Sequence, residues 1–168
     1  MFNYQFVKNN SRFLLFGFIL TFCSSFGQTF FIGIFNPYIR EDLSLSHSEF
    51  GLIYSLATLL SSFSLIWIGK KIDDFKIIYF AIAACLFLAF SSFFLTLVSN
   101  IILLFFAIYF LRLSGQGLMT HTSSTSMAKF FDLNRGKALS ISWLGLSLGE
   151  GFLPYLIIFL MKFYSWKI

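Results

Sequence analysis

The sequence predicts an all-α membrane protein, a bundle of transmembrane helices, and three observations carry that prediction. First, 58% of the 168 residues are hydrophobic and only 11% are charged, whereas soluble domains carry about 25% charged residues. Second, the uncharged runs are long enough to cross a bilayer, which takes about 20 residues. Third, the basic residues cluster between these runs, as they do in membrane loops. A small soluble core has no room for this much apolar surface.

Uncharged runs and turn residues divide the chain into five spans. Asn36-Pro37 ends the first span, because proline interrupts a helix, and the capping box in Ser46-His47-Ser48-Glu49 begins the second. The 35 uncharged residues of 77–111 would form a helix of about 52 Å at 1.5 Å per residue. The hydrocarbon core is only about 30 Å thick, so Ser99-Asn100 must turn the chain. The predicted spans are about 13–35, 50–69, 77–98, 101–127 and 138–161.

The charges between the spans predict the orientation. With the N-terminus inside, eight basic residues of the loops face the cytoplasm and three face the other side, which is the bias that orients membrane proteins. We therefore expect a multi-pass protein of the plasma (inner) membrane with a cytoplasmic N-terminus. The loops also account for the net charge of +5, so nucleic acid is not an expected partner. The eight cytoplasmic residues are Lys8, Arg12, Lys70, Lys71, Lys76, Lys129, Arg135 and Lys137.

Two charged residues inside the spans are the first candidates for a functional site. Arg112 and Glu150 both fall near mid-membrane, where a charge costs several kcal/mol unless it is paired or hydrated. Two interpretations stay open: a buried ion pair that joins the fourth and fifth spans, or a path in which Arg112 attracts an anionic substrate and Glu150 takes up a coupling proton. Gln28 and Gln116 are further candidates for substrate contact, with hydrogen bonding between helices as the alternative.

The sequence contains none of the common catalytic motifs. It has no H-E-x-x-H, no G-x-S-x-G and no phosphate-binding glycine loop. Its two cysteines, Cys23 and Cys85, lie inside apolar runs without the spacing of metal ligands. We therefore expect no catalytic residue, no cofactor and no metal site.

One loop and one span carry motifs that resemble those of the major facilitator superfamily. Gly69 and Asp73 match the G-x-x-x-D core of the family's cytoplasmic signature loop, although the residues 74–76 depart from the basic sequence that usually follows. The stretch Arg112–Gly117 resembles the fourth-span motif of an arginine followed by a Gln/Gly cluster, with slightly different spacing.

Two further motifs extend the resemblance over nearly the whole chain. The segment 130–138 resembles the loop between the fourth and fifth spans of the family, including its Arg-Gly step at Arg135. The fifth span resembles the glycine-rich fifth span of the family. Its matching residues are Gly145, Gly149, Gly151 and Pro154.

The resemblance implies a fold and a mechanism. The chain would supply five spans of the N-terminal six-helix half of a major facilitator fold, with the sixth span and the C-terminal half absent, so that it looks truncated. It also implies alternating access around a midplane site, and a cytoplasmic gate formed by Gly69, Asp73 and Arg135, with Asp73 bonded near Arg135. The expected partners are the lipid bilayer, a small solute, a proton and the missing C-terminal half.

The same resemblance suggests a substrate class. Gly27-Gln28 and the Gly-Gln-Gly at 115–117 look most like monocarboxylate or oxalate/formate porters, and a midplane arginine suits an organic anion. The expected function is secondary active transport of such an anion, with proton symport as the candidate coupling. Two alternatives stay open: a drug or metabolite exporter of the same superfamily, or a small helical scaffold or pore protein.

Overall fold

The computed structural model describes residues 4–167, and within that range it contains helices and turns but no strand. Five of its helical segments are long and apolar enough to cross a membrane, which confirms the predicted helix bundle. These spans are Ser11–Leu43, His47–Asp73, Ile77–Thr96, Ile101–Phe130 and Arg135–Leu160.

Two of the five spans are interrupted near their middle. A short helix, α1 (Tyr4–Asn9), precedes the first span, which consists of α2 (Ser11–Ser24), a 3₁₀ turn (Ser25–Gly27) and α3 (Thr29–Leu43). The second span consists of α4 (His47–Lys70) and a 3₁₀ turn (Lys71–Asp73), and the third is α5 (Ile77–Thr96). The fourth span consists of α6 (Ile101–Leu111), a π-helical segment (Arg112–Met119) and α7 (Thr120–Phe130), and the fifth is α8 (Arg135–Leu160). We call the end of the bundle with the connections 74–76 and 131–134 the basal end, and the opposite end the distal end.

Both helix-start predictions at the distal end are confirmed. Ser46 Oγ accepts a hydrogen bond from the Glu49 amide at 3.2 Å, and Glu49 Oε2 accepts one from the Ser46 amide at 2.8 Å, so the capping box begins the second span. Asn100 turns the chain between the third and fourth spans, where its Oδ1 accepts from the Leu103 amide at 2.9 Å. These side chains satisfy amides that have no partner within the helix.

The prediction that Asn36-Pro37 ends the first span is wrong, because α3 continues through Pro37 to Leu43. Proline removes one backbone donor, but two other interactions hold this turn. Arg40 Nε donates to Asn36 Oδ1 at 2.8 Å across it, and Ile39 is fully buried. Packing therefore keeps helical a segment that local propensity alone would end.

The first and fourth spans form the centre of the bundle. Their most apolar windows are 44% and 56% buried, against 17–22% for the other three spans. The close helix packing expected of the fifth-span glycines is present where α8 meets α2: a Cβ on Gly145 would overlap the Phe18 carbonyl and lie 2.5 Å from Thr21 Oγ1. The central spans carry the two interruptions, so the irregular backbone lies inside the protein, as it must in a bilayer.

Candidate functional site

The two interruptions face each other near the middle of the membrane. The 3₁₀ turn of the first span lies against the π-helical segment of the fourth, and they cross at two glycines. A Cβ on Gly115 would lie 2.6 Å from the Gly27 Cα, so neither position has room for a side chain. π-Helical segments recur at functional sites, and this one begins with Arg112.

The crossing brings the Arg112 guanidinium to the break in the first span. Arg112 is only 6% exposed, and its Nη1 donates to the Gly27 carbonyl at 3.2 Å and to Thr29 Oγ1 at 3.1 Å. The guanidinium lies 5.4 Å from the centre of the Tyr54 ring, and the Tyr54 hydroxyl donates to Thr29 Oγ1 at 2.8 Å. Residues of the first and second spans therefore fix the position of this charge on the fourth.

One edge of the guanidinium makes no hydrogen bond within the described residues. Arginine has five N–H donors, and in Arg112 those of Nη1 form hydrogen bonds. Nε of Arg112 is buried without a hydrogen-bond partner, and its Nη2 makes no bond to any residue in 4–167. No carboxylate within the described residues pairs with this arginine. Among residues 4–167, this charge within the fourth span therefore has no counter-charge, and part of its donors are unbonded.

The ion-pair interpretation of Arg112 and Glu150 is wrong. Glu150 is exposed on α8, and it forms no ion pair in the part of the chain that the structure describes. The reason is the packing: α8 lies mainly against α2, α7 and α3, whereas the Arg112 guanidinium extends towards Thr29 and Tyr54. The similar depth of the two charges did not bring them together.

A polar cavity of about 100 Å³ lies beside Arg112, between α4 and the fourth span. Gln116 lines this cavity with Arg112, so these two predicted site residues lie together. Gln28 is half-buried at the break in the first span, is not part of the cavity wall, and makes no side-chain hydrogen bond within 4–167. The lining residues are Thr58, Ser61, Ser62, Leu65, Arg112, Gln116 and Gly117.

The α4 side of this cavity is missing from the sequence-based prediction. Tyr54, Thr58, Ser61 and Ser62 follow one another at helical spacing, which places them on one face of α4. A polar stripe on an otherwise apolar membrane helix indicates a protein-facing or water-facing side. This helical spacing was the sequence signal that could have identified the α4 side of the cavity. It is easily overlooked, because single serines and threonines are common in membrane helices.

The residues predicted for the cytoplasmic gate separate into two groups at the basal end. Asp73 pairs with Lys129, with 2.6 Å between Oδ1 and Nζ, and not with Arg135 as expected. Arg135 pairs instead with Asp132 at 3.0 Å, three residues away. α7 brings Lys129 to the end of the second span, whereas Arg135 lies beyond the next loop. The Gly69 carbonyl is 3.1 Å from His121 Nε2, so Gly69 and Asp73 both face α7.

The comparison with known families agrees with this architecture. The family model described as Major Facilitator Superfamily matches residues 17–168, which include four spans and all of the first span except residues 11–16. Comparisons with curated proteins and with solved structures gave no significant match. The chain belongs to the major facilitator superfamily, and it is therefore a membrane transporter of that superfamily and not an enzyme.

Proposed function

We propose that the protein transports a small organic anion, such as a monocarboxylate, and that Arg112 binds it. The observation that carries this proposal is the buried guanidinium without a counter-charge among the described residues. A charge in the membrane interior costs several kcal/mol unless it is paired or hydrated. An anionic substrate at this position would supply the missing partner.

The open edge of Arg112 suits a carboxylate. The N–H groups of Nε and Nη2 are nearly parallel, and they match the two oxygens of a carboxylate in a bidentate pair. Nη1, on the other side of the guanidinium, is held by Gly27 and Thr29. The side chain is therefore fixed by one edge and offers the other, which limits the entropy lost on binding.

Alternating access follows from the family, and the charges support an orientation for it. The basal end carries the eight loop cations counted above, so we place it in the cytoplasm of the plasma (inner) membrane. Gly69, Asp73 and Lys129 then lie at the cytoplasmic end of the pathway, where their contacts would open and close. A second half of the same transporter would complete the site from the opposite side.

Proton coupling through Glu150 is the second part of the proposal. Its carboxylate is exposed on a membrane-spanning helix and has no partner within 4–167. A charge on a membrane-spanning helix is costly unless it is paired or hydrated, and for this reason we assign the coupling proton to this carboxylate. Protonation from one side and release to the other would drive symport.

Uptake by the full-length protein in proteoliposomes tests both parts. We expect labelled acetate to enter faster with an inward proton gradient, Arg112→Gln to abolish uptake, and Glu150→Gln to keep acetate exchange while losing the effect of the gradient. Arg40→Gln is the matched control, since within the described residues the Arg40 side chain bonds only Asn36, at the distal end. Normal kinetics in a well-folded Arg112→Gln protein would contradict the anion site. If the inward proton gradient still accelerates uptake by Glu150→Gln, proton coupling through Glu150 is contradicted.

A further inference from the structure

Thr58 differs from the serines around it on α4. The hydroxyls of Ser55, Ser61, Ser62 and Ser64 each donate to a backbone carbonyl one turn earlier, at 2.7–3.0 Å. This is the usual way in which a hydroxyl is satisfied within a helix. The Thr58 hydroxyl is buried and makes no hydrogen bond to residues 4–167. A buried hydroxyl without a partner is destabilising, and a ligand that bonds it would remove that cost.

The cavity wall has an uneven set of donors and acceptors. Ser61 and Ser62 both donate to the Thr58 carbonyl, so towards a ligand they offer only acceptor lone pairs. The Thr58 hydroxyl is free to donate and to accept. Arg112 offers the donors of Nε and Nη2, and it is the single cation of the wall in the described chain.

We propose that the ligand of this cavity is a short monocarboxylate with a hydroxyl group next to its carboxylate, and that Thr58 is the residue that recognises the hydroxyl. This inference rests on the proposed function, because it assumes that Arg112 binds the carboxylate. The ligand hydroxyl then accepts a hydrogen bond from the Thr58 hydroxyl and donates one to Ser61 or Ser62. Both the ligand hydroxyl and the Thr58 hydroxyl are then hydrogen-bonded.

The same wall disfavours two related classes of acid. An unsubstituted acid leaves Thr58 Oγ1 unbonded, and a site built to bond a hydroxyl discriminates against ligands that lack one. A dicarboxylate places its second charge against the acceptor-only oxygens of Ser61 and Ser62, without a second cation nearby. The small size of the cavity, about 100 Å³, favours a short acid.

Competition binding tests the inference on the purified full-length protein. Labelled glycolate is the probe, with unlabelled glycolate, acetate and oxalate as competitors. We expect glycolate to bind about tenfold more tightly than acetate, the factor that one good hydrogen bond supplies, and oxalate to bind more weakly than glycolate. Thr58→Val should lower glycolate affinity to that of acetate.

Two further variants separate recognition from folding. Thr58→Ser keeps the hydroxyl and should restore the preference for glycolate. Ser55→Ala removes a hydroxyl from the same helix outside the cavity wall, and it should leave both affinities unchanged. Equal binding of glycolate and acetate by the wild type, tighter binding of oxalate, or a preserved preference in Thr58→Val would overturn the inference while the anion site stands. Failure of all three acids to bind would overturn the proposed function itself.

Discussion

Two polar regions inside this apolar bundle are organised in opposite ways. The first, which we call the seam, lies where α2, α7 and α8 meet and consists of Gly17, Thr21, Ser123, Ser142 and Gly145. The second is the cavity beside Arg112. In the seam, Ser123 Oγ donates to the Gly17 carbonyl at 2.9 Å, Thr21 Oγ1 donates to the Ser142 carbonyl at 2.5 Å, and the Ser123 and Ser142 hydroxyls are 2.5 Å apart. All three hydroxyls are bonded within the protein.

The cavity leaves two of its buried polar atoms, Arg112 Nε and Thr58 Oγ1, without a partner in residues 4–167. Unsatisfied polar groups are costly in the membrane interior. The seam avoids that cost because its hydroxyls bond within the protein, whereas these two atoms of the cavity find no partner in the described residues. Polar groups that bond one another therefore serve packing here, and we propose that Arg112 Nε and Thr58 Oγ1 serve binding.

The largest effect is expected from filling the seam. Gly145→Val places a side chain against the Phe18 carbonyl and Thr21 Oγ1, and rigid backbone cannot move aside as a flexible side chain would. We expect a loss of about 3 kcal/mol, seen as little monodisperse protein in fluorescence-detected size-exclusion chromatography. Gly151→Val is the matched control on the same helix, because a Cβ there meets nothing within 4 Å. Equal behaviour of the two variants would contradict the described packing of α2 on α8.

A smaller and more informative effect is expected from removing one hydroxyl in each region. Ser142→Ala deletes a hydrogen bond that is fully buried, and it should lower stability by about 1 kcal/mol. Thr58→Val deletes a hydroxyl without a partner in the described chain, so thermal unfolding in detergent should be unchanged or slightly later. If Thr58→Val proves the more damaging of the two, the distinction between closed and open polar regions fails.

The smallest effect is expected at the basal end. Lys129→Ala removes the ion pair with Asp73, but both side chains are largely exposed, at 44% and 68%. Exposed pairs contribute about 0–1 kcal/mol and weaken with salt. We expect a change in unfolding temperature close to the error of the measurement at high ionic strength. A large, salt-independent loss would indicate that this pair is more deeply buried in the assembled transporter.

The fold was largely predictable because the bilayer imposes few choices. Run lengths identified five spans, and the chemistry of Ser46, Glu49 and Asn100 located two helix starts. Pro37 misled the prediction because burial of the neighbouring Ile39 outweighs local propensity. The 3₁₀ turn and the π-helical segment were not foreseen, since their geometry depends on the contact of Gly27 with Gly115, two residues far apart in sequence.

The site was predictable in part. Arg112 was predicted from its charge within a span, and Gln116 was predicted as a polar amide within the same span. Both residues line the cavity. Depth alone did not determine which side chains meet: Glu150 lies away from Arg112, and Asp73 pairs with Lys129 instead of Arg135, because helix rotation and helix neighbours are set by packing. Thr58 was not predicted, although it lies on the polar face of α4 that the helical spacing of residues 54, 58, 61 and 62 indicates.

The most direct test of the central claim measures thermal unfolding of the full-length protein with and without glycolate. A ligand that binds the folded state raises its stability as RT ln(1 + [L]/Kd), about 2.7 kcal/mol at a hundredfold excess over Kd. We predict that glycolate raises the unfolding temperature of the wild type and leaves that of Arg112→Gln unchanged, while the ligand-free variant is at least as stable as the wild type. A glycolate-induced shift that persists in Arg112→Gln would contradict the account, as would a wild type that shows no shift.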